Sequence, residues 1–213
     1  MNKVQLIIGG ARSGKSALAE SYATASNLPV TYIATAQAFD SEMQQRISQH
    51  QADRPKHWQL IESPLCLAQK IELAISSAKK VNKKQPEGIC ILVDCLTLWL
   101  SNSLCKPSTD TNTSDCNLAY WENEKQQLLT LLESIQNAGA EQPHINIILV
   151  SNEVGHGIVP MGELSRQFVD QAGWLHQAIA KIADNVAFVM AGLPLTLKSS
   201  ESVNQSVNSR NVQ

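Results

Sequence analysis

The run Gly9-Gly10-Ala11-Arg12-Ser13-Gly14-Lys15-Ser16 has glycine at its first and sixth positions, then a lysine and a hydroxyl residue. Gly, four residues, Gly-Lys-Ser is the spacing of a phosphate-binding loop. Glycines let consecutive backbone N–H groups converge into an anion nest, and the lysine reaches the outer phosphates. Ser16 offers a hydroxyl to Mg²⁺, and a helix opening there points its positive end at the phosphates. Asp94 is a second residue of this kind, closing the apolar run 89–93. A carboxylate ending a buried strand downstream of a phosphate loop is the Walker-B arrangement, in which it holds Mg²⁺. Two further residues leave alternatives open. Glu62 is either a second acidic ligand (or water-holding group) or an exposed edge carboxylate, and Thr35 is either a phosphate or ribose contact or a strand-to-loop cap.

Elements of a particular kind must position these groups. Residues 4–8 form a continuous apolar run, as in a strand buried on both faces of a parallel sheet. A helix over 15–25 should follow the loop and end before Asn27 and Pro29. Residues 30–34, β-branched and aromatic, read as the next strand. Residues 35–36 then lie at its carboxyl edge, where ligands sit in open α/β sheets. Ser41 is a candidate N-cap for a polar helix running to residue 54 and stopped by Pro55. Arg46, His50 and Arg54 share one side of it at spacings of four, which periodicity alone reads as a solvated face.

Further strands are expected over 58–62, 89–93, 145–150 and 185–191, the last of these ending the sheet. Helices are expected over 64–80, 118–138 with Gly139 as C-cap, and 164–183, with a helix or tight turn at 96–100. Residues 101–117, rich in Ser, Thr, Asn and Asp, read as a surface excursion, and Lys79-Lys80 with Lys83-Lys84 as a solubilising turn. The polar tail from 199 is expected to be disordered, leaving 1–198 as one domain. Strands alternating with helices argue an α/β fold with a mostly parallel sheet.

Composition excludes several classes. A net charge of −2 supplies no basic field for nucleic acid or an anionic membrane. Five cysteines, an odd number without a Cys-x-x-Cys pair, argue against a disulfide scaffold and for reduced thiols in a cytoplasm. The nearly apolar stretch 89–100 is interrupted by Asp94 and too short to span a bilayer. The guanine-reading Asn-Lys-x-Asp of common GTPases and the protein-kinase signatures are both missing from the sequence. Motif reading alone stops at a P-loop nucleotide-dependent enzyme.

Several blocks then occur in a recognisable order. They are residues 9–16, Tyr32-Ile33-Ala34-Thr35-Ala36, and Arg46-Ile47 with His50, Arg54-Pro55 and Trp58. Val93-Asp94-Cys95-Leu96-Thr97 and Ser151-Asn152-Glu153-Val154-Gly155 with Gly157-Ile158-Val159-Pro160 complete the set. Over about residues 4–198 the chain resembles the bifunctional adenosylcobinamide kinase / adenosylcobinamide-phosphate guanylyltransferase family of cobalamin biosynthesis. The resemblance implies a RecA-like P-loop fold, a homotrimer, and two reactions. GTP or ATP phosphorylates the aminopropanol hydroxyl of adenosylcobinamide. GTP then guanylylates a histidine, releasing pyrophosphate, and the GMP passes to adenosylcobinamide phosphate. His50 matches that histidine, which replaces the solvated-face reading, and Arg46 and Arg54 flank it. The resemblance also implies that GTP is held by residues 9–16, Ala34, Thr35, Ala36, Gln51, Ala52, Asp53, Arg54, Glu62 and Asp94. Trp174 and His176 stand where such proteins often have Arg and Asn, and His144, His156 and His176 receive no role. The alternative is a P-loop small-molecule kinase without guanylyltransferase activity.

Overall fold

A computed structural model describes residues 2–38, 40–81, 88–107, 117–138 and 144–200. In chain order the elements are β1 (Lys3–Gly9), α1 (Lys15–Ala25), β2 (Val30–Ala34), α2 (Ser41–Asp53), β3 (Gln59–Glu62) and α3 (Leu67–Val81). There follow β4 (Ile89–Asp94), α4 (Leu96–Leu104), α5 (Leu118–Gln136), β5 (Ile145–Asn152), α6 (Glu163–Ile182), β6 (Asn185–Met190) and β7 (Leu193–Lys198). The seven strands make one sheet ordered β3-β2-β4-β5-β1-β6-β7. All pairings are parallel except β6 with β7. The central strands β1, β4 and β5 are buried on both faces, which explains their continuous apolar runs.

Successive side chains of a strand point to opposite faces, so each central strand feeds two cores. Val4, Leu6 and Ile8 of β1 join the larger one, beneath α3, α4, α5 and α6. There Trp99 and Trp121 meet edge to face with centroids 4.9 Å apart. Ile7 joins the smaller one with Tyr32, Leu92 and Ile148, against Ala19 and Ala23 of α1. These small residues let α1 lie close to the sheet, so the helix behind the phosphate loop is fixed by packing.

Parallel register aligns the carboxyl ends of the strands. Ala34 pairs with Glu62 on one side and Asp94 on the other, and Gly9 pairs with Asn152. Residues distant in sequence thereby share one edge.

Several expectations are corrected. Asp40, not Ser41, caps α2, accepting from the Met43 N–H at 2.7 Å. Residues 101–104 are not part of a surface excursion, because α4 continues through them and buries Ser103 and Leu104. Residues 64–66 precede α3 instead of opening it. α5 ends at Gln136 with Asn137 as its cap, and Gly139 lies outside the described residues. β6 is not the last strand: Ala191 (φ 51°) and Gly192 (φ 79°) turn the chain into β7, the double positive-φ geometry of a tight hairpin. Pro194 in β7 is tolerated because an edge strand need not donate outward, and that proline hides the strand in the sequence. The remainder of the excursion at 108–116, with Cys116, the lysines at 83–84, and the tail from 201 lie outside the described residues. Cys66, Cys90, Cys95 and Cys105 are free thiols. Among the described residues no helix is long and apolar enough to cross a membrane.

Candidate active site

The loop after β1 has its shape for steric reasons that can be assigned glycine by glycine. A Cβ on Gly9 would stand 2.5 Å from the Val189 carbonyl oxygen and 2.5 Å from Ser13 Oγ, so no side chain fits. Gly14 adopts φ 96° and would press a Cβ to 3.2 Å from Gly192 Cα. Gly10 has open space around it, so neither crowding nor a positive φ demands glycine there. Arg12 takes the left-handed conformation at φ 56°, and Ser13 N–H closes the turn on Gly10 O at 3.2 Å. The β6–β7 turn backs this loop, with Gly192 N–H donating to Ser13 O at 2.9 Å. Sequence reading missed this buttress because it missed β7.

The loop is built for an anion. Lys15 is only 8% exposed, and its Nζ donates to Gly10 O at 3.1 Å, so the ammonium folds over the loop. Ser13 Oγ is buried without a hydrogen-bond partner. Gly14 precedes α1 and brings no side chain to cap it, so the first-turn N–H groups are open to an incoming acceptor. Buried cation, unpartnered hydroxyl and helix terminus converge on one place.

That place opens into a cleft of about 1070 Å³ along the carboxyl edge of the sheet. Ala11, Arg12, Ser13, Gly14, Lys15 and Ser16 line it together with Ala34, Ala36, Arg54, Glu62 and Asp94. Gly9 and Gly10 shape the loop beneath. Glu62 is exposed on the rim. The Arg54 guanidinium lies 5.1 Å from the centroid of the Tyr32 ring, a cation–π contact that orients it. Burial first, and the Asp94 carboxylate second, hold the Tyr32 hydroxyl neutral by raising its pKa. The same two causes push the Cys95 thiol up to about 11, so it is no nucleophile at neutral pH.

Thr35 is fully buried, donates through Oγ1 to Cys95 O at 2.7 Å, and accepts there from Cys95 N–H at 2.8 Å. Its N–H donates to Asp94 O, and its carbonyl accepts from Asn102 Nδ2. Its polar groups tie the end of β2 to the end of β4 and to α4, and Thr35 lies outside the cleft lining, which favours the strand-end cap of its two readings.

α2 borders the same cleft through Met43, Gln44 and Ile47. Helical position 50 follows 43 and 47 on one side of α2, at spacings of seven and three. The side chains of Arg46, His50, Gln51, Ala52 and Asp53 lie outside the described set. Asn152 is a cleft residue that sequence reasoning did not select. It ends β5 and donates from Nδ2 to Thr97 Oγ1 at 3.1 Å, between the loop and Asp94. The signal was present, since a polar residue at the carboxyl end of a buried strand faces the ligand edge. Behind it, buried His176 sits with Nε2 2.7 Å from Ser151 Oγ and Nδ1 3.8 Å from Glu153 Oε2.

The donor set suits Mg²⁺. Among the described residues no group of three or more His, Cys, Asp or Glu is placed to hold a metal ion. A hydroxyl and one or two carboxylates, with the remaining positions left to phosphates and water, is how Mg²⁺ binds in nucleotide enzymes.

Residues 5–197 match the family model described as cobinamide kinase / cobinamide phosphate guanyltransferase. The bifunctional adenosylcobalamin biosynthesis protein CobP of Pseudomonas aeruginosa is 49% identical over 193 residues, covering 91% of this chain and 96% of that protein. Its counterpart CobU of Salmonella typhimurium is 36% identical over 195 residues, covering 91% and 98%. In fold alone, the chain is similar to a prototypical ATPase from the type III secretion system of pathogenic bacteria. That likeness has a TM-score of 0.53 at 12% identity and covers 97% of this chain and 63% of that one. A mostly parallel α/β sheet carrying a phosphate loop, matched by this family along nearly its whole length, leads to one conclusion: the chain belongs to the cobinamide kinase / cobinamide phosphate guanyltransferase family.

Proposed function

We propose that this protein phosphorylates adenosylcobinamide and then, using GTP, guanylylates the product through a covalent intermediate on His50. The observation that carries the reading is that the phosphate loop and α2 border one cleft, so a single bound triphosphate faces both. In the kinase step the aminopropanol oxygen attacks the γ-phosphorus of GTP or ATP, the bond to the β-bridging oxygen breaks, and the nucleoside diphosphate leaves. Lys15 exchanges its bond to the Gly10 carbonyl for bonds to phosphate oxygens, which gain charge as the transfer proceeds. Ser16 and Asp94 hold Mg²⁺, which when bound neutralises charge on the phosphates. Asn152 and Glu62 orient groups at the outer end of the triphosphate.

In the second step a neutral imidazole nitrogen of His50 attacks the α-phosphorus of GTP, and pyrophosphate leaves. A phosphate oxygen of adenosylcobinamide phosphate then attacks the same phosphorus, breaks the P–N bond and restores the imidazole. The covalent intermediate divides one difficult displacement into two easier ones. Arg46 of α2, and Arg54 just past its end, offset charge on the transferring group, while Gln51, Ala52 and Asp53 complete the nucleotide contacts at the end of α2. The working unit is residues 1–198, acting in the cytoplasm as a homotrimer.

GTP labelled in its α-phosphate tests the reading. Wild-type protein with Mg²⁺ should form an acid-labile covalent adduct that His50→Asn loses, while phosphorylation of adenosylcobinamide continues within about threefold. Phosphorylation without any adduct in the wild type would leave a P-loop small-molecule kinase and remove the guanylyltransferase half.

A further inference from the structure

Beside the nucleotide cleft lies a second, separate cavity of about 370 Å³ whose wall is mostly apolar: Leu104, Val154, Pro160, Leu164, Phe168 and Val169. Its rim continues into the segment between β5 and α6, where Ile158 is 95%, Val159 74% and Met161 98% exposed. Three neighbouring apolar side chains this open to water are unusual on a surface with no ligand to meet. The segment is anchored at both ends. Glu153 N–H donates to Gly9 O at 3.0 Å, and Glu153 Oε1 accepts from Gly155 N–H at 2.6 Å. At the far end Arg166 Nη1 donates to the Pro160 and Met161 carbonyls. The fold thus presents these side chains from a fixed support.

Two elements run from the cleft directly into this cavity. On α4, Leu98 lines the cleft while Ser101, three residues on along the same side, and Cys105, the residue that caps the helix, line the cavity. After β5, Asn152 lines the cleft and Val154 the cavity. The cleft and the cavity therefore share the walls formed by α4 and by the chain after β5. A ligand whose body rests in the apolar cavity has these shared walls to follow when it sends a hydroxyl-bearing arm toward the cleft. The cavity is too small for a whole macrocycle and suited to one apolar edge of it.

We infer that this cavity, with its Ile158–Met161 rim, is the acceptor subsite, and that it takes the methyl-bearing edge of the corrin ring while the aminopropanol arm enters the cleft. The inference rests on the reading that the acceptor is a corrinoid. A small polar acceptor would have no use for the apolar wall.

The test is equilibrium dialysis of the full chain against cobinamide, followed by corrin absorbance, with a non-hydrolysable GTP analogue present. GTP affinity and sedimentation are measured on the same samples. Phe168→Asp should weaken cobinamide binding about tenfold or more, with GTP affinity within about twofold and sedimentation unchanged. Should Phe168→Asp also lose GTP binding, and so its fold, the rim variants Ile158→Asp and Met161→Asp decide, because substitutions at residues that exposed cost little stability. They should weaken cobinamide several-fold and leave GTP binding intact. Unchanged cobinamide affinity in variants that still bind GTP overturns the subsite. So does a change in assembly size with unchanged cobinamide affinity, which would assign the face to a second copy of the chain. Wild-type protein that binds GTP but never cobinamide would instead defeat the functional reading beneath.

Discussion

Two of the helices that border the nucleotide cleft, α1 and α2, are held in place by different forces. α1 buries Lys15, Ala19 and Ala23 and packs on the smaller core, and the loop before it is wedged against Val189 and Gly192. α2, among its described residues, adds nothing to either core. Its N-terminus is organised by one side-chain cap, Asp40 on Met43 N–H, and its C-terminus leads to Arg54 over Tyr32. Apolar burial scales with area and makes α1 part of the global fold. A helix whose described residues add nothing to the core opens at lower free energy than the core. The phosphate loop thus belongs to the rigid partner, and the helix carrying His50 is the adjustable one. Under the proposed function, this division suits an enzyme that cuts one triphosphate at its γ-phosphorus and another at its α-phosphorus.

The contrast can be broken most severely at Lys15. Lys15→Ala should lower both transfer reactions by about 100- to 1000-fold while circular dichroism and melting remain those of a folded protein. Retained turnover would remove the phosphate loop from the chemistry. A second comparison lies within the loop itself. Gly9→Ala forces a Cβ onto the Val189 backbone oxygen and should cost about 1–3 kcal/mol, seen as a lower melting temperature. Gly10→Ala, in open space, should leave stability nearly unchanged. Equal losses would refute the assignment of roles between the two glycines.

Asp40→Ala tests the other side. It should remove about 1 kcal/mol from α2, lowering formation of the α-labelled adduct more than the kinase rate. A global loss of melting temperature without that asymmetry would show α2 to be as much part of the core as α1. The smallest effect concerns the end of β5. Burial lowers the His176 pKa below the ordinary 6.5, and Glu153 offsets this only in part. A ring protonated on Nδ1 toward Glu153 accepts the Ser151 hydroxyl at Nε2, so the folded state holds the neutral form. The unfolded chain binds the proton first as pH falls, so the contribution of His176 to stability is fully present above about 6.5. It declines as pH falls below that value toward the folded-state pKa. Melting scans from neutral to acid pH should show this decline, and His176→Asn should flatten it.

How much was legible in the chain depended on how local each cause was. The phosphate loop, α1 and β2 were read at their observed boundaries because glycine spacing, proline and β-branched runs act within a few residues. Thr35 was left open because its hydroxyl is answered by Cys95, 60 residues away, which no local pattern announces. β7 was missed because Leu193, Leu195 and Leu197 are all exposed and Pro194 interrupts the run. His50 is the instructive case: spacing of charged residues on a polar helix reads as a solvated face, and only resemblance in several blocks gave it a role.

By itself the sequence determined the menu of parts: a phosphate-loop motif at residues 9–16, an acidic strand end at Asp94, and alternating strands and helices that argue a parallel sheet. Short-range sterics and hydrophobic periodicity suffice for those. Only the tertiary structure decided which parts meet. Parallel register sets Ala34 between Glu62 and Asp94 and Gly9 beside Asn152, and the β6–β7 hairpin locks the loop through Gly192. Those juxtapositions arise from pairing between strands separated by tens of residues, which is a property of the folded sheet and of no single stretch of chain.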